Sequence, residues 1–314
     1  MNRFSHLLLL IIITILFGCK SNPNLQTEEG YIDVRGGKIW YRILGEGNEA
    51  PILILHGGPG GTSKSFYLFA SLSEERPVIL FDQLGSGRSY HHKDTSLLKV
   101  EKFVEQVEEV KTALGLNEFY LYGHSWGTAL ALEYYLKYPK GIKGILFNSP
   151  YFSTQIWEAD ADTLISTLPD SIQQAIRIGK MKNDFSSLSF KRATYVFNKN
   201  FGTRKTSLSS ELDSVPIPRN RFVYNYMWGP TEFTSNGTLK NYSCVEYLKN
   251  ITIPTLFITG EFDEARPETV RRFQNLVPNS EFALIEDAGH GTMHDNLSQN
   301  ISAIRNFLNE LELE

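Results

Sequence analysis

Six short apolar runs punctuate the chain: "PILILH" (51–56), "PVILFD" (77–82), "FYLYG" (119–123), "IKGILFNS" (142–149), "IPTLFITG" (253–260) and "EFALIED" (281–287). Each is continuous rather than alternating, the pattern of a strand covered on both faces. Ahead of them, "YIDV" and "KIWYRIL" flank Gly36-Gly37, which signals a hairpin. Between the earlier runs, residues 65–72, 100–114 and 128–138 carry apolar positions at helical spacing. Repeated strand–helix units predict an α/β fold: a mostly parallel sheet with helices on both faces.

The strand pattern stops after Ser149 and resumes only beyond Cys244. The stretch between has helical periods, several aromatics and the turn-rich "DSVPIPRNR". This predicts a helical cap over 151–244, inserted into a core made of 31–150 and 245–314. Such a cap would sit over the strand ends, where open α/β sheets bind ligands.

At 314 residues with a net charge of −4, the chain is long enough for one large core and has no basic footprint. Nucleic acid is therefore not an expected partner. The N-terminus departs from this picture. Arg3 is followed by an apolar run over 7–17 and then Gly18-Cys19. The run is short for a membrane span and has the layout of a secretory signal. "LFGC" (16–19) resembles a bacterial lipobox, so residues 1–18 are expected to be a lipoprotein-type signal peptide and Cys19 the lipidated residue. Residues 19–30 would then form a polar tether, and the protein would be exported and held on a membrane, on the periplasmic or outer-membrane side. Lipidation of Cys19 would leave Cys244 with no disulfide partner, and Cys244 reads as a small buried hydrophobe.

The candidate chemistry begins at Gly123-His124-Ser125-Trp126-Gly127, where a strand pattern turns at once into a helix. This context marks a nucleophile elbow, which lifts a serine hydroxyl above the sheet edge. The N–H of Trp126 then lies at a helix start and can donate to an oxyanion. A serine nucleophile needs a base, and the base an orienting acid, in chain order Ser, acid, His. Asp263 follows one strand and His290 the last one, so both fall on the same sheet edge as Ser125. His290 would act as base, with an apparent pKa near neutrality, roughly 6 to 7. His294 as base, and Asp287 or Glu261 as acid, are the weaker choices; His91 and His92 lie in a polar loop. A second oxyanion donor should come from the glycine-rich "HGGPGG" (56–61), with His56 as structural support.

"HGGPGG", "FDQLGSGRS", "GHSWG", "GEFDEARP" and "AGHGTM" together resemble the proline iminopeptidase family of α/β-hydrolases, and the tricorn-interacting aminopeptidases in particular. The resemblance runs from Tyr31 onward, cap included. It implies the α/β-hydrolase fold, a triad of Ser125, Asp263 and His290, and oxyanion donors at Gly58 and Trp126. It also implies that Glu232 in "MWGPTEF" and Glu264 beside Asp263 grip the free amino terminus of a short peptide. Neither a cofactor nor a metal is implied. Many proline-specific members read DQRG where this chain has Leu84, which leaves room for other small or apolar first residues. Two other readings remain at this level: an esterase, amidase or lactonase acting on a neutral acyl compound, and a non-catalytic, membrane-tethered binding protein.

Overall fold

The computed structural model describes residues 21–91, 93–205, 217 and 219–313. Its centre is an eight-stranded sheet in the order β1-β2-β4-β3-β5-β6-β7-β8. The hairpin β1 (Glu28–Val34) and β2 (Gly37–Leu44) forms one antiparallel margin. Then β4 (Val78–Phe81), β3 (Ile52–Leu55), β5 (Phe119–His124), β6 (Ile142–Asn148), β7 (Thr255–Gly260) and β8 (Ser280–Ile285) run parallel. The alternating crossover leaves the ends of β3, β5, β6, β7 and β8 on one edge, which is where the site lies.

The apolar runs form strands because both of their faces are covered. Leu53, Leu55, Leu121 and Phe147 enter one buried cluster, while Ile52, Ile54, Tyr122 and Leu146 enter the other. Burying each such side chain contributes about 1.5–3 kcal/mol. The covering helices include α1 (Val100–Ala113) and α2 (Trp126–Lys137). Residues Ser63–Glu74 form consecutive 3-10 turns rather than the expected α-helix, with Phe66, Phe69 and Leu72 packed inward.

Between β6 and β7 the chain forms α3 (Thr154–Ile165), α4 (Asp170–Lys182), α5 (Leu188–Phe197) and α6 (Arg221–Met227). Phe190, Phe197, Phe201 and Phe233 give this cap a core of its own. A bridge between Ser153 and Ser243 closes its neck. The chain then completes the core with α7 (Pro267–Gln274), α8 (Thr292–Asp295) and α9 (Leu297–Leu313).

The tether expected over residues 19–30 is corrected over its described part. The Asn22 side chain accepts from the backbone N–H groups of Asn117 and Glu118 at 2.9 and 3.0 Å and donates to the Glu118 carbonyl at 2.8 Å. Leu25 is buried and bridges Gly47, and β1 already begins at Glu28. Polar composition suggested a loose linker, but those polar groups satisfy backbone at the start of β5. Cys19 and the apolar run before it lie outside the described residues. Among the described residues, no helix is long and apolar enough to cross a membrane.

Candidate active site

Ser125 sits between β5 and α2 with φ 54° and ψ −124°, a conformation that costs a side-chain-bearing residue about 1–3 kcal/mol. The flanking glycines make this turn feasible. A Cβ on Gly123 would lie 2.4 Å from the Gly127 carbonyl oxygen, and one on Gly127 would lie 2.1 Å from that of Leu55. Helix α2 begins at Trp126, two residues earlier than its sequence pattern, so the Trp126 N–H lies in its first turn.

Two of the sequence motifs turn out to be scaffolding for this turn. His56 is fully buried; its Nε2 accepts from the Gln83 N–H at 3.0 Å while Nδ1 donates to the Gly57 carbonyl at 2.8 Å. Burial holds its pKa below the usual histidine value, which suits this neutral bridging role. The Gln83 side chain donates to the His56 carbonyl at 2.9 Å and accepts from the Trp126 indole at 3.1 Å. Asp82 accepts from Ser63 and Arg88, and the Arg88 guanidinium lies 4.4 Å from the Trp40 ring centre. Leu84 is wholly buried and lines neither cavity near Ser125, so its departure from the DQRG pattern leaves the cavity walls unchanged.

Asp263 and His290 come together across 27 residues of sequence. His290 Nδ1 donates to Asp263 Oδ1 at 2.9 Å, which leaves Nε2 as the basic nitrogen. The Asp263 carboxylate also accepts from the N–H groups of Ala265 and Gly260 at 2.8 and 3.2 Å and from the Thr259 hydroxyl at 3.2 Å. Burial alone would raise its pKa, but the charge and hydrogen bond of His290, together with the Ala265 N–H, hold it below the usual carboxylate range. Burial would lower that of His290; the carboxylates of Asp263, Glu264 and Glu232 outweigh it and push it up to about 9. That is well above the neutral value expected from sequence, because three acids surround this one ring.

The weaker alternatives lie elsewhere. Asp287 is paired with Arg204 at 3.4 Å and Lys205 at 3.3 Å. Glu261 accepts from the Asp287 N–H at 3.0 Å. His294 lines the cavity wall, and His91 bonds the Gly87 carbonyl at 3.0 Å. His92 is outside the described residues. Cys244 is buried, and burial pushes its thiol up to about 12, the state of an inert packing residue.

A cavity of about 500 Å³ opens above the elbow and is walled by Gly58, Ser125, His290, Glu232 and Glu264. Glu232 reaches it from the cap and Glu264 from the turn after β7, so residues 32 positions apart face one space. Sequence reading missed a third member, Arg219, whose Nη1 meets Glu232 Oε1 at 2.8 Å. Burial raises the Glu232 pKa, but the Arg219 charge and hydrogen bond prevail and keep it low. Glu264 is buried, and its pKa is pushed well up, first by that burial. The two acids are thus unlike: one is ionised and the other tends to hold its proton.

A smaller cavity adjoins Ser125, Trp126 and Gly58 and is walled by Tyr151, Trp157 and Trp228. These rings meet edge-on, with centroids 5.5 to 6.4 Å apart, and the Trp157 indole donates to the Glu232 carbonyl at 3.2 Å. The sequence shows several aromatics in the cap; only the fold shows that these three converge.

A serine at a nucleophile elbow, an Asp–His pair at the following strand ends and a cap between them define an α/β-hydrolase. A family profile for the alpha/beta hydrolase fold matches residues 50–297. A proline iminopeptidase from Heyndrickxia coagulans is 40% identical over 285 residues, covering 90% of this chain and 99% of the relative. Among solved structures, VinJ superposes with a TM-score of 0.82 at 27% identity, covering 92% of this chain and 100% of its own. A proline iminopeptidase from Mycobacterium smegmatis does so with a TM-score of 0.81 at 26% identity, covering 91% and 99%. The chain belongs to the proline iminopeptidase family of α/β-hydrolases, a family of serine aminopeptidases.

Proposed function

We propose that this protein is a serine aminopeptidase that releases an N-terminal proline, or another small apolar residue, from short peptides. The observation that carries this reading is the pair Glu232 and Glu264 sharing one cavity with Ser125 and His290. An exopeptidase must recognise an α-ammonium close to the scissile bond, and two carboxylates can satisfy its donors and offset its lost hydration. The rigid aromatic walls beside Ser125 suit a compact apolar ring or side chain. Their small space disfavours long first residues.

In this reading His290 Nε2 takes the proton of Ser125 as Oγ attacks the acyl carbon of the first residue. The N–H groups of Trp126 and Gly58 receive the developing oxyanion. The tetrahedral adduct collapses when His290 returns the proton to the leaving amine. Water, deprotonated by His290 in turn, then frees the acyl group from Ser125. Asp263 holds the ring in the tautomer this requires. A panel of aminoacyl reporter amides, each free and N-acetylated, tests the reading; equal turnover of both forms would replace it with an amidase or esterase.

A pH dependence follows. The base works only when unprotonated, and its pKa is raised, so kcat/KM for a neutral ester should climb as pH rises through about 9. Replacing Glu264 with glutamine removes one of the acids that raise it and should move that limb downward. A limb at pH 6 to 7 in the wild type, unmoved in the variant, would contradict this account of His290.

We also propose that Cys19 is acylated after export and anchors the protein to a membrane. The support is the sequence alone: Arg3, the apolar run and the lipobox-like "LFGC". The wild-type protein should partition with membranes and have a blocked N-terminus, and Cys19→Ser should lose the lipid. A soluble wild-type protein with a free amino terminus after signal cleavage would refute the anchor.

A further inference from the structure

The loop that carries His290 is built against the cap as well as against the sheet. Helix α5 ends in a π turn over Asn198–Gly202, and the segment 201–205 pairs with the main chain of residues 289–291. The His290 N–H donates to the Phe201 carbonyl at 2.8 Å, and the Gly291 N–H donates to that of Gly202 at 2.9 Å. The approach leaves no room for a side chain: a Cβ on Gly289 would lie 2.5 Å from the Gly202 carbonyl oxygen and 2.7 Å from that of Phe201. From the sheet side, the His290 carbonyl accepts from His124 Nε2 at 3.0 Å and from Ser149 Oγ at 3.1 Å. The main chain of the base therefore hangs between cap and sheet.

Asp295, the last residue of α8, closes this junction. Its side chain is buried, and Oδ2 accepts from the Gly289 N–H at 2.9 Å and from the Arg204 N–H at 3.1 Å. Oδ1 accepts from the Lys205 N–H at 2.8 Å. One carboxylate thus holds the residue before the base and two residues of the cap at once. Other contacts already keep the cap segment on the core. The Arg204 guanidinium lies 3.9 Å from the Phe262 ring centre, and Asp287 pairs with Arg204 and Lys205 from outside. Those contacts are made by long side chains, and the Asp287 partner is 61% exposed, so they do not fix main chain against main chain. The Asp295 bonds do. The register matters on both sides of the junction, because Asn198, Lys199, Gly202 and Thr203 also wall the cavity above Ser125.

We infer that Asp295 is a positioning residue for the base: its carboxylate clamps the cap segment 201–205 to the His290 loop, so that the cap is part of the mount of the catalytic histidine. The inference rests on the assignment of His290 as base. His290 must present Nε2 to Ser125 while Nδ1 stays on Asp263 at 2.9 Å. A main chain held on the cap side and the sheet side together limits the ring to that one placement.

Asp295→Asn and Asp295→Glu separate this role from the mere satisfaction of buried N–H groups. Asparagine keeps the length but replaces one acceptor oxygen with a donor. Glutamate keeps both acceptors but is one methylene longer, so it serves the N–H groups only by moving the two segments apart. Both variants should lose about ten- to hundredfold in kcat, since a misplacement of about 1 Å at a reacting group can cost that much. The loss should fall on a neutral ester as well as on an aminoacyl amide, because both need the base. A role confined to the cap would instead raise KM for the amide and spare the ester. That outcome, or wild-type ester kcat in either folded variant, or kcat values that follow Tm across the two, would overturn the inference. His290→Ala is measured alongside. If it stays active, the assignment of the base fails and takes this inference with it; if it is inactive while the Asp295 variants are not impaired, only the positioning role falls.

Discussion

Ser125→Ala should lose on the order of 10⁴-fold or more in kcat, on peptide and ester substrates alike, while remaining folded. The loss is large because the proposed mechanism makes this residue the nucleophile. The preserved fold follows from local geometry. Alanine adopts φ 54° at the same cost as serine, and the two flanking glycines still clear the Leu55 and Gly127 carbonyls. The scaffold behind the elbow also stays in place, since Gln83 bonds the Trp126 indole and the His56 carbonyl without involving residue 125. Near-native circular dichroism and Tm with activity at background is the expected outcome. A folded variant that keeps a tenth of wild-type kcat would remove Ser125 from the mechanism, and with it the reading of Asp263 and His290 as its partners.

Much of this was legible along the chain because it is local. The apolar runs at 51–56, 77–82 and 119–123 form strands where continuous burial predicts them, and the elbow is visible because strand, glycines, serine and helix are contiguous. Residues 63–74 show the limit: their apolar spacing is helical, yet they fold as 3-10 turns with Phe66, Phe69 and Leu72 pressed against the sheet. The supposed tether failed for a related reason. Asn22 is an unremarkable polar residue until residues 117 and 118, nearly a hundred positions later, present it with unpaired backbone groups. Arg219 and the aromatic walls at 151, 157 and 228 are likewise meetings of distant segments. A sequence gives their residue types, but only the fold gives their distances. The glutamates were located by resemblance alone; their unlike ionisation depends on which of them Arg219 reaches.

That difference governs the second large effect. Glu232→Gln should lower kcat/KM for a free aminoacyl amide by a factor of about 30 to several thousand, the 2–5 kcal/mol lost when one partner of a desolvated charged hydrogen bond is removed. The Glu232 side chain is 27% exposed, which places the expected loss toward the lower end of that span. The substitution spares the fold, because Arg219, 44% exposed, is left with water and the Tyr224 ring at 4.3 Å rather than as a buried unpaired charge. It does not spare ammonium recognition. Arg219 then remains as an uncompensated positive charge at the amine end, and the glutamine carboxamide cannot answer a second cation. Glu264, which burial inclines to hold its proton, is left as the one member of the acidic pair to meet the ammonium. A neutral short-chain nitrophenyl ester never used the Glu232 carboxylate and should be hydrolysed at nearly the wild-type rate. That selectivity is the decisive feature, since damage to Ser125, His290 or their supports depresses both substrates together. If free and N-acetylated prolyl or alanyl amides turn over equally, and Glu232→Gln changes neither, the carboxylate pair is not an ammonium site and the protein acts on neutral acyl compounds instead.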